Sequence, residues 1–190
     1  MEELDIREFP AMSSRCTVTF FDSKPPYVIK SYLSRASYAA ESEAYRRLAG
    51  AWYVPDVYEI GDNHIKMEYL DTSLNDYVKS EGHLPYDLAK QSYLAMMDML
   101  DRGVYENADL SKFDKHYFLR NGVIKLIDFD YADIIDGEYS KRMYRDCIES
   151  EFRFLHGDDI GSEKDYRYAL MCCAFGKAVC DDFFENLIRL

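Results

Sequence analysis

The stretch Thr17–Lys30, TVTFFDSKPPYVIK, decides the first part of the fold. β-Branched and aromatic residues dominate Thr17–Phe21 and Tyr27–Lys30, and these residue types favour strands. The residues between them, Asp22–Pro26 (DSKPP), have the composition of a turn. The stretch therefore predicts a β-hairpin with a connection of five residues.

The residues after the hairpin change to a helical period. From Ser37 onward, residues recur at i, i+3, i+4 and i+7, which is the spacing of one helix face. The members of this face are Glu41, Ala44, Tyr45 and Leu48. Gly50 is placed to end the helix, and two short strands, Val57–Ile60 and His64–Tyr69, are predicted after it.

The remaining chain is mainly helical. An Asn121-Gly122 pair between apolar runs predicts a second hairpin. The predicted elements are a short helix over Leu74–Lys79, a longer helix from near Pro85 to Gly103, strands at Tyr117–Leu119 and Val123–Ile127, and late helices over Arg142–Leu155 and Tyr166–Leu190. We therefore expect one α+β domain over residues 1–190, with a strand-rich part at about 1–68 and a helical part at about 72–190.

The charge balance restricts the partners. The chain has 35 acidic against 23 basic side chains and a net charge of −12, which opposes unspecific binding to nucleic acid and to anionic membranes. A partner with a basic surface, or solubility alone, accounts for this excess. The five cysteines are irregularly spaced, which indicates neither a disulfide framework nor a CxxC metal site, so a reducing compartment is expected.

The location follows from the same features. No apolar run approaches the length of a membrane span, and the N-terminal MEELDIREFP lacks a hydrophobic signal segment. We therefore expect a cytoplasmic protein. A secreted effector that acts in the cytosol of a host cell would have the same composition.

Three residues in a defined order suit a nucleoside triphosphate. Lys30 ends a predicted strand and could neutralise phosphates, while Glu41 on the following helix could hold its flexible ammonium. Asp128 follows an apolar strand and offers the hard oxygen ligands that Mg²⁺ prefers. Each residue alone is most simply a surface charge, and Glu43 is an alternative to Glu41 on the same helix. The order and spacing of the three residues together favour a nucleotide site.

These residues lie in segments that resemble those of the protein kinases, over roughly residues 10–155. Tyr27–Lys30 resembles the V-A-I-K strand, and Glu41 matches the glutamate of the helix that follows it. Met67–Leu70 resembles the segment whose backbone binds adenine, and Ile124–Asp130 resembles the strand and the metal-binding D-F-G segment. The resemblance implies a two-lobed fold, with a small antiparallel N-lobe sheet plus one helix and a reduced helical C-lobe.

The resemblance also implies ATP and Mg²⁺ as cofactors. The nucleotide would contact Lys30, Glu41, Ser13, Val18, Val28, Met67, Glu68 and Leu70. Where the glycine-rich loop of kinases would fall, Ala11–Val18 has the sequence AMSSRCTV, with Ala11, Ser13 and Cys16 at the glycine positions. Small side chains keep some backbone access to phosphate but lack the conformational freedom of glycine, so weak nucleotide binding is expected.

The catalytic loop departs from the kinase pattern as well. Asn107–Asp114 (NADLSKFD) replaces H-R-D-L-x-x-x-N, and the resemblance then assigns Asp109 as the base for the substrate hydroxyl and Asp114 as the second metal ligand. Lys112 would contact the transferred phosphate, one position from its usual place. An alternative register puts His116 at the asparagine position, and imidazole is a poor magnesium ligand.

The implied activity is transfer of the γ-phosphate of ATP to a protein serine or threonine, including autophosphorylation. The segment after Asp130 is too short for a full activation loop and contains no A-P-E. Two alternatives stay open: a pseudokinase that serves as a nucleotide-binding or protein-binding scaffold, and a small-molecule kinase of the aminoglycoside or choline type, whose I-D-F-(D/E)-Y-A segment is similar to Ile127–Ala132. We expect a protein substrate or a protein binding partner. We expect binding neither to nucleic acid nor to a membrane.

Overall fold

The structure is a computed structural model that describes residues 6–9, 15–81, 86–105, 116–138, 140–142 and 144. Over these residues it is a mixed α+β protein with antiparallel sheets and few helices, so the predicted α+β class is confirmed. The strands are β1 (Ile6–Phe9), β2 (Cys16–Phe21), β3 (Tyr27–Tyr32), β4 (Val57–Ile60), β5 (His64–Glu68), β6 (Thr72–Ser73), β7 (Val104–Tyr105), β8 (Tyr117–Arg120), β9 (Val123–Leu126) and β10 (Asp133–Ile134). The helices are α1 (Arg35–Arg47), α2 (Leu74–Glu81) and α3 (Tyr86–Asp101).

The largest sheet has five antiparallel strands in the order β1-β2-β3-β5-β4. β2 and β3 form the predicted hairpin, in which Val18 lies opposite Lys30. The edge strand β1 is not predicted by its local sequence, because IREF has two charged residues among four and no clear period. Its pairing with β2, where Ile6 lies opposite Phe21, defines it instead.

Helix α1 follows the hairpin and packs its predicted face inward. Ser34 caps the first turn, since its hydroxyl accepts a hydrogen bond from the Ser37 N–H at 3.3 Å. Shortly after the helix, Gly50 has a φ of 75°, which glycine adopts without strain. All four residues of the predicted face are buried: Glu41, Ala44, Tyr45 and Leu48.

Helix α3 supports the hairpin of β8 and β9, to which β6 adds a third strand. Asn121 and Gly122 both have positive φ, as the predicted Asn-Gly turn requires. Gln91 of α3 holds this turn from two sides. Its Oε1 accepts the Ile124 N–H at 2.9 Å, and its Nε2 donates to the Gly122 carbonyl at 3.2 Å.

One continuous cluster of buried side chains joins the five-stranded sheet to the later elements. Lys125 of β9 adds a polar link, because its Nζ donates to the carbonyls of Trp52 and Val54 at 2.8 and 2.9 Å. The short strands β7 and β10 pair with each other. Strand β10 also contacts α1.

The predicted late helices, apart from Arg142 and Tyr144, lie outside the described residues. In the part of the chain that the structure describes, no helix combines the length and the apolar character needed to cross a membrane.

Candidate functional site

The site begins with Lys30, which lies inside the five-stranded sheet on β3. Its neighbours across the strands are Val18 on β2 and Ile65 on β5. Only 7% of Lys30 is exposed, because its side chain extends towards α1 and not into solvent. A buried lysine is costly unless carboxylates neutralise it.

Two carboxylates from distant parts of the chain meet at this ammonium. Lys30 Nζ donates to Glu41 Oε2 at 2.5 Å and also to Asp128 Oδ1. Glu41 is fully buried, whereas 38% of the Asp128 side chain is exposed. The partners lie 11 and 98 residues from Lys30 along the chain. The structure therefore brings together the three residues that the sequence singled out.

The charges of this cluster stabilise one another. Burial alone would lower the pKa of Lys30, but Glu41 and then Asp128 raise it above its ordinary value. Burial raises the pKa of Glu41, and the contact with Lys30 opposes this rise only in part. Burial would also raise the pKa of Asp128, yet Lys30 outweighs it and the pKa is lowered. Lys30 and Asp128 therefore both carry charge at neutral pH.

Asp128 has a left-handed backbone, with a φ of 71°. This conformation is uncommon for a residue other than glycine, and it recurs at functional sites. The next residue, Phe129, is buried and packs edge-on against Tyr45, with ring centroids 5.2 Å apart. Because Tyr45 lies one turn after Glu41 on α1, the same helix holds both Lys30 and the segment that carries Asp128.

Tyr32 and His116 lie beside the cluster. Lys30 Nζ is 5.3 Å from the centroid of the Tyr32 ring, and burial followed by the charge of Glu41 raises the pKa of the Tyr32 hydroxyl. His116 Nδ1 is 3.9 Å from Asp128 Oδ2. The histidine of the alternative register is thus a neighbour of Asp128.

A further ion pair links the residue before β2 to the residues after Asp128. An Arg15 guanidinium nitrogen lies 3.7 Å from Asp130 Oδ2, and the guanidinium is 4.1 Å from the centroid of the Tyr131 ring. Burial, and then the charge of Asp128, raise the pKa of Asp130. Sequence reasoning missed Arg15, although it is the only cationic residue in AMSSRCTV.

Three of the predicted nucleotide-contacting side chains, Val18, Val28 and Met67, lie on the Lys30 face of the five-stranded sheet. Val18 lies directly opposite Lys30, and Val28 lies directly opposite Met67. Since residues two apart on a strand share a face, Val28 lies on the face of Lys30. Met67 and Leu70 are buried. These side chains could form the apolar part of a base-binding surface.

Glu68, in contrast, is engaged within the protein. Its carboxylate pairs with Arg120 at 3.0 Å, and its N–H donates to the Asp56 carbonyl at 2.8 Å. The Tyr69 N–H donates to the Pro26 carbonyl at 3.4 Å. The N–H groups of Glu68 and Tyr69 are therefore already used within the protein.

The other predicted site residues, Ser13, Asp109, Lys112 and Asp114, lie outside the described residues, and their roles stay predictions. Within the described ranges, no three His, Cys, Asp or Glu side chains form a group that could hold a metal ion. Asp128 alone still suits Mg²⁺, which commonly takes one or two carboxylates and completes its shell with substrate phosphate and water.

The cluster places an ammonium and a partly exposed carboxylate side by side, which is an arrangement suited to an anion bound together with a divalent cation. A scan against protein-family models and a search of curated proteins find no match to this chain.

Proposed function

We propose that this chain is a minimal, atypical kinase with a two-lobed kinase-like fold, which binds ATP and Mg²⁺ and transfers the γ-phosphate to a protein serine or threonine, its own included. One observation carries the proposal: the buried Lys30 ammonium contacts both Glu41 and Asp128. Burying such charges costs free energy that apolar side chains would not cost, so a functional reason for them is favoured.

The three residues would have different tasks. Lys30 would neutralise the phosphates, and Glu41 would keep the Lys30 side chain in place. Asp128 would hold Mg²⁺, which supplies charge neutralisation on the phosphates. Since Lys30 contacts Asp128 Oδ1 in the described structure, Lys30 would move towards the phosphates when Asp128 binds the metal.

The transfer step would use the loop that sequence analysis identified. Asp109 would accept the proton of the substrate hydroxyl. The hydroxyl oxygen would bond to the γ-phosphorus while the bond from that phosphorus to the β–γ bridging oxygen breaks and ADP leaves. Lys112 would contact the transferred phosphate, and Asp114 would hold a second Mg²⁺. Catalysis would rest on positioning and charge neutralisation.

A second candidate is a pseudokinase, a scaffold that binds nucleotide without transferring phosphate. The position of His116 favours it, because its Nδ1 lies 3.9 Å from Asp128 Oδ2 and imidazole is a poor magnesium ligand. The lack of glycine in Ala11–Val18 also favours it.

The test is to incubate the full chain with radiolabelled ATP and Mg²⁺, alone and with a general protein substrate. The wild type should acquire label on serine or threonine. Asp128→Asn should lower the labelling roughly a hundredfold or more, because the metal ligand is lost, while asparagine still tolerates the left-handed backbone. Asp62→Asn, an exposed change in the β4–β5 turn, is the matched control and should label fully.

The other outcomes separate the alternatives. Label on small alcohols or amines, and none on protein, would identify a small-molecule kinase. A rise in melting temperature with Mg-ATP but no label would identify a scaffold. The absence of both label and shift would contradict nucleotide binding itself.

A further inference from the structure

Arg15 has a fixed position next to α1, because its backbone is held there. The Arg15 carbonyl accepts hydrogen bonds from the N–H groups of Leu33 at 2.6 Å and Ser34 at 3.3 Å. Ser34 is the N-cap of α1, the helix that carries Glu41. The backbone of Arg15 is therefore anchored at the N-terminus of α1.

The Arg15 side chain reaches the two residues that follow Phe129. It pairs with Asp130 at 3.7 Å and lies over the ring of Tyr131 at 4.1 Å. The Asp130 side chain is only 10% exposed, whereas the Arg15 side chain is 39% exposed. Arg15 thus links the start of β2 to the segment that begins with Asp128.

The charge of Arg15 acts on the cluster itself. Together with the stronger effect of Lys30, it contributes to lowering the pKa of Asp128, and it opposes the rise in the pKa of Asp130. Lys30 on β3 and Arg15, the residue directly before β2, are therefore two cations that act on the same carboxylate.

The segment Ala11–Val18 contains no glycine, so its backbone is poorly suited to enclosing phosphate. A guanidinium offers an alternative, since its planar fork of N–H donors matches phosphate oxygens. We propose that Arg15 is a phosphate-binding residue of this site, which exchanges its contact with Asp130 for the phosphates of a bound nucleoside triphosphate. This inference rests on the proposed nucleotide binding.

Phosphate would be a stronger partner for the Arg15 guanidinium than either Asp130 or the Tyr131 ring. A 3.7 Å pair with a partly exposed arginine is weak, and the half-exposed Tyr131 ring adds only a modest attraction. A triphosphate presents several charged oxygens that can accept two hydrogen bonds from one guanidinium. Arg15 is held near Asp128, where those oxygens would lie.

The experiment is isothermal titration of the full chain with ATP and with adenosine, in EDTA so that metal ligation does not contribute. Arg15→Gln should weaken ATP binding about tenfold, the usual scale for a charge-assisted hydrogen bond, and leave adenosine binding within about twofold. Arg15→Lys should restore part of the loss. Arg46→Gln removes the same charge from an exposed arginine of α1 and should leave both affinities unchanged.

Asp130→Asn separates phosphate binding from a purely structural contact. If Arg15 binds phosphate, removing the charge of Asp130, which competes with phosphate for the Arg15 guanidinium, should strengthen ATP binding or leave it unchanged. If the pair only holds the fold together, Asp130→Asn should weaken ATP binding as much as Arg15→Gln does, and that result would overturn the inference. Equal losses for ATP and adenosine in Arg15→Gln, or no loss, would overturn it too.

The two proposals fail in different ways. If Arg15→Gln binds ATP as tightly as the wild type, only the proposed role of Arg15 is refuted. If Arg15→Gln selectively loses ATP binding but the wild type transfers no phosphate, only the proposed kinase activity is refuted. If the wild type binds neither ATP nor inorganic triphosphate, both proposals are refuted.

Discussion

Lys30 shows most directly how a single residue links the fold to the site. Its ammonium is buried and is compensated by a fully buried glutamate and a partly exposed aspartate. Removing one partner of a buried ion pair leaves an uncompensated charge, which costs more than the pair contributes. Replacing Lys30 therefore leaves the fully buried Glu41 carboxylate without its compensating cation.

We expect Lys30→Met to lower the free energy of unfolding by about 3 kcal/mol at pH 8. The loss should be smaller at pH 5. Without Lys30, the pKa of Glu41 rises further above its ordinary value of 4.5, because burial is no longer opposed. A carboxyl group with a raised folded-state pKa stabilises the fold when protonated, and this contribution is lost as the pH rises through that pKa.

Urea denaturation at pH 5 and pH 8 measures both values. Lys79→Met removes a lysine from the exposed face of α2 and should change stability by less than about 0.5 kcal/mol at either pH. A Lys30→Met loss that is equal at both pH values would contradict the claim that Glu41 remains buried without its cation.

At the level of elements, two glycines with nearly the same backbone geometry have different surroundings. Gly103, between α3 and β7, has a φ of 75°, and Gly122, between β8 and β9, has a φ of 76°. A Cβ atom at Gly122 would meet nothing within 4 Å. At Gly103 it would lie 2.5 Å from the Ile135 carbonyl oxygen and 2.7 Å from an Arg47 nitrogen.

Gly122→Ala should therefore cost about 1 kcal/mol, from backbone strain alone. Gly103→Ala should cost about 2–4 kcal/mol, because it adds a clash with a backbone carbonyl that cannot rotate away. Denaturant midpoints of the two variants give the comparison, provided that the m values stay unchanged. Equal losses would mean that the contact between Gly103 and Ile135 is not close.

The elements that were predictable from sequence are those with local signals. The β2–β3 and β8–β9 hairpins have strand residues on both sides of a turn, and α1 has a face with helical spacing and Gly50 beyond its end. Strands β7 and β10 have two residues each, and only pairing between distant segments defines them. No local pattern could have indicated them.

The same distinction applies to the site. Lys30, Glu41 and Asp128 could be selected because their order and spacing along the chain together favoured a nucleotide site, although each alone is most simply a surface charge. The contact of Arg15 with Asp130, and that of Tyr45 with Phe129, depend on how distant segments pack together. Residue types alone do not encode that packing.

At the scale of the whole molecule, Arg47 connects the last turn of α1 to the β7–β10 pair. One of its guanidinium nitrogens lies 3.4 Å from each of the carbonyls of Gly103 and Ile135 and 2.9 Å from Asp136. Arg47 lies on the helix that carries Glu41, so these contacts restrain the helix that positions Lys30. The hydrogen bonds that Arg47 donates to Asp136 and then to Glu43 raise the pKa of Arg47.

We expect Arg47→Met to lower the unfolding free energy by about 1 kcal/mol, since its contacts are partly exposed, and to weaken Mg-ATP binding several-fold. The second effect follows because α1 could pivot and loosen the hold of Glu41 on Lys30. Melting temperature and Mg-ATP titration measure the two effects separately. Arg46→Met changes the neighbouring arginine, whose side chain is 55% exposed, and should alter neither.

Asp136→Asn isolates the ion pair from the carbonyl contacts. The Asp136 side chain is 81% exposed, so its loss should affect both measurements less than Arg47→Met does. The coupling between this contact and the site would be refuted if Arg47→Met lowered the melting temperature while the folded protein bound Mg-ATP as tightly as the wild type. Arg47 would then stabilise the fold without positioning Glu41.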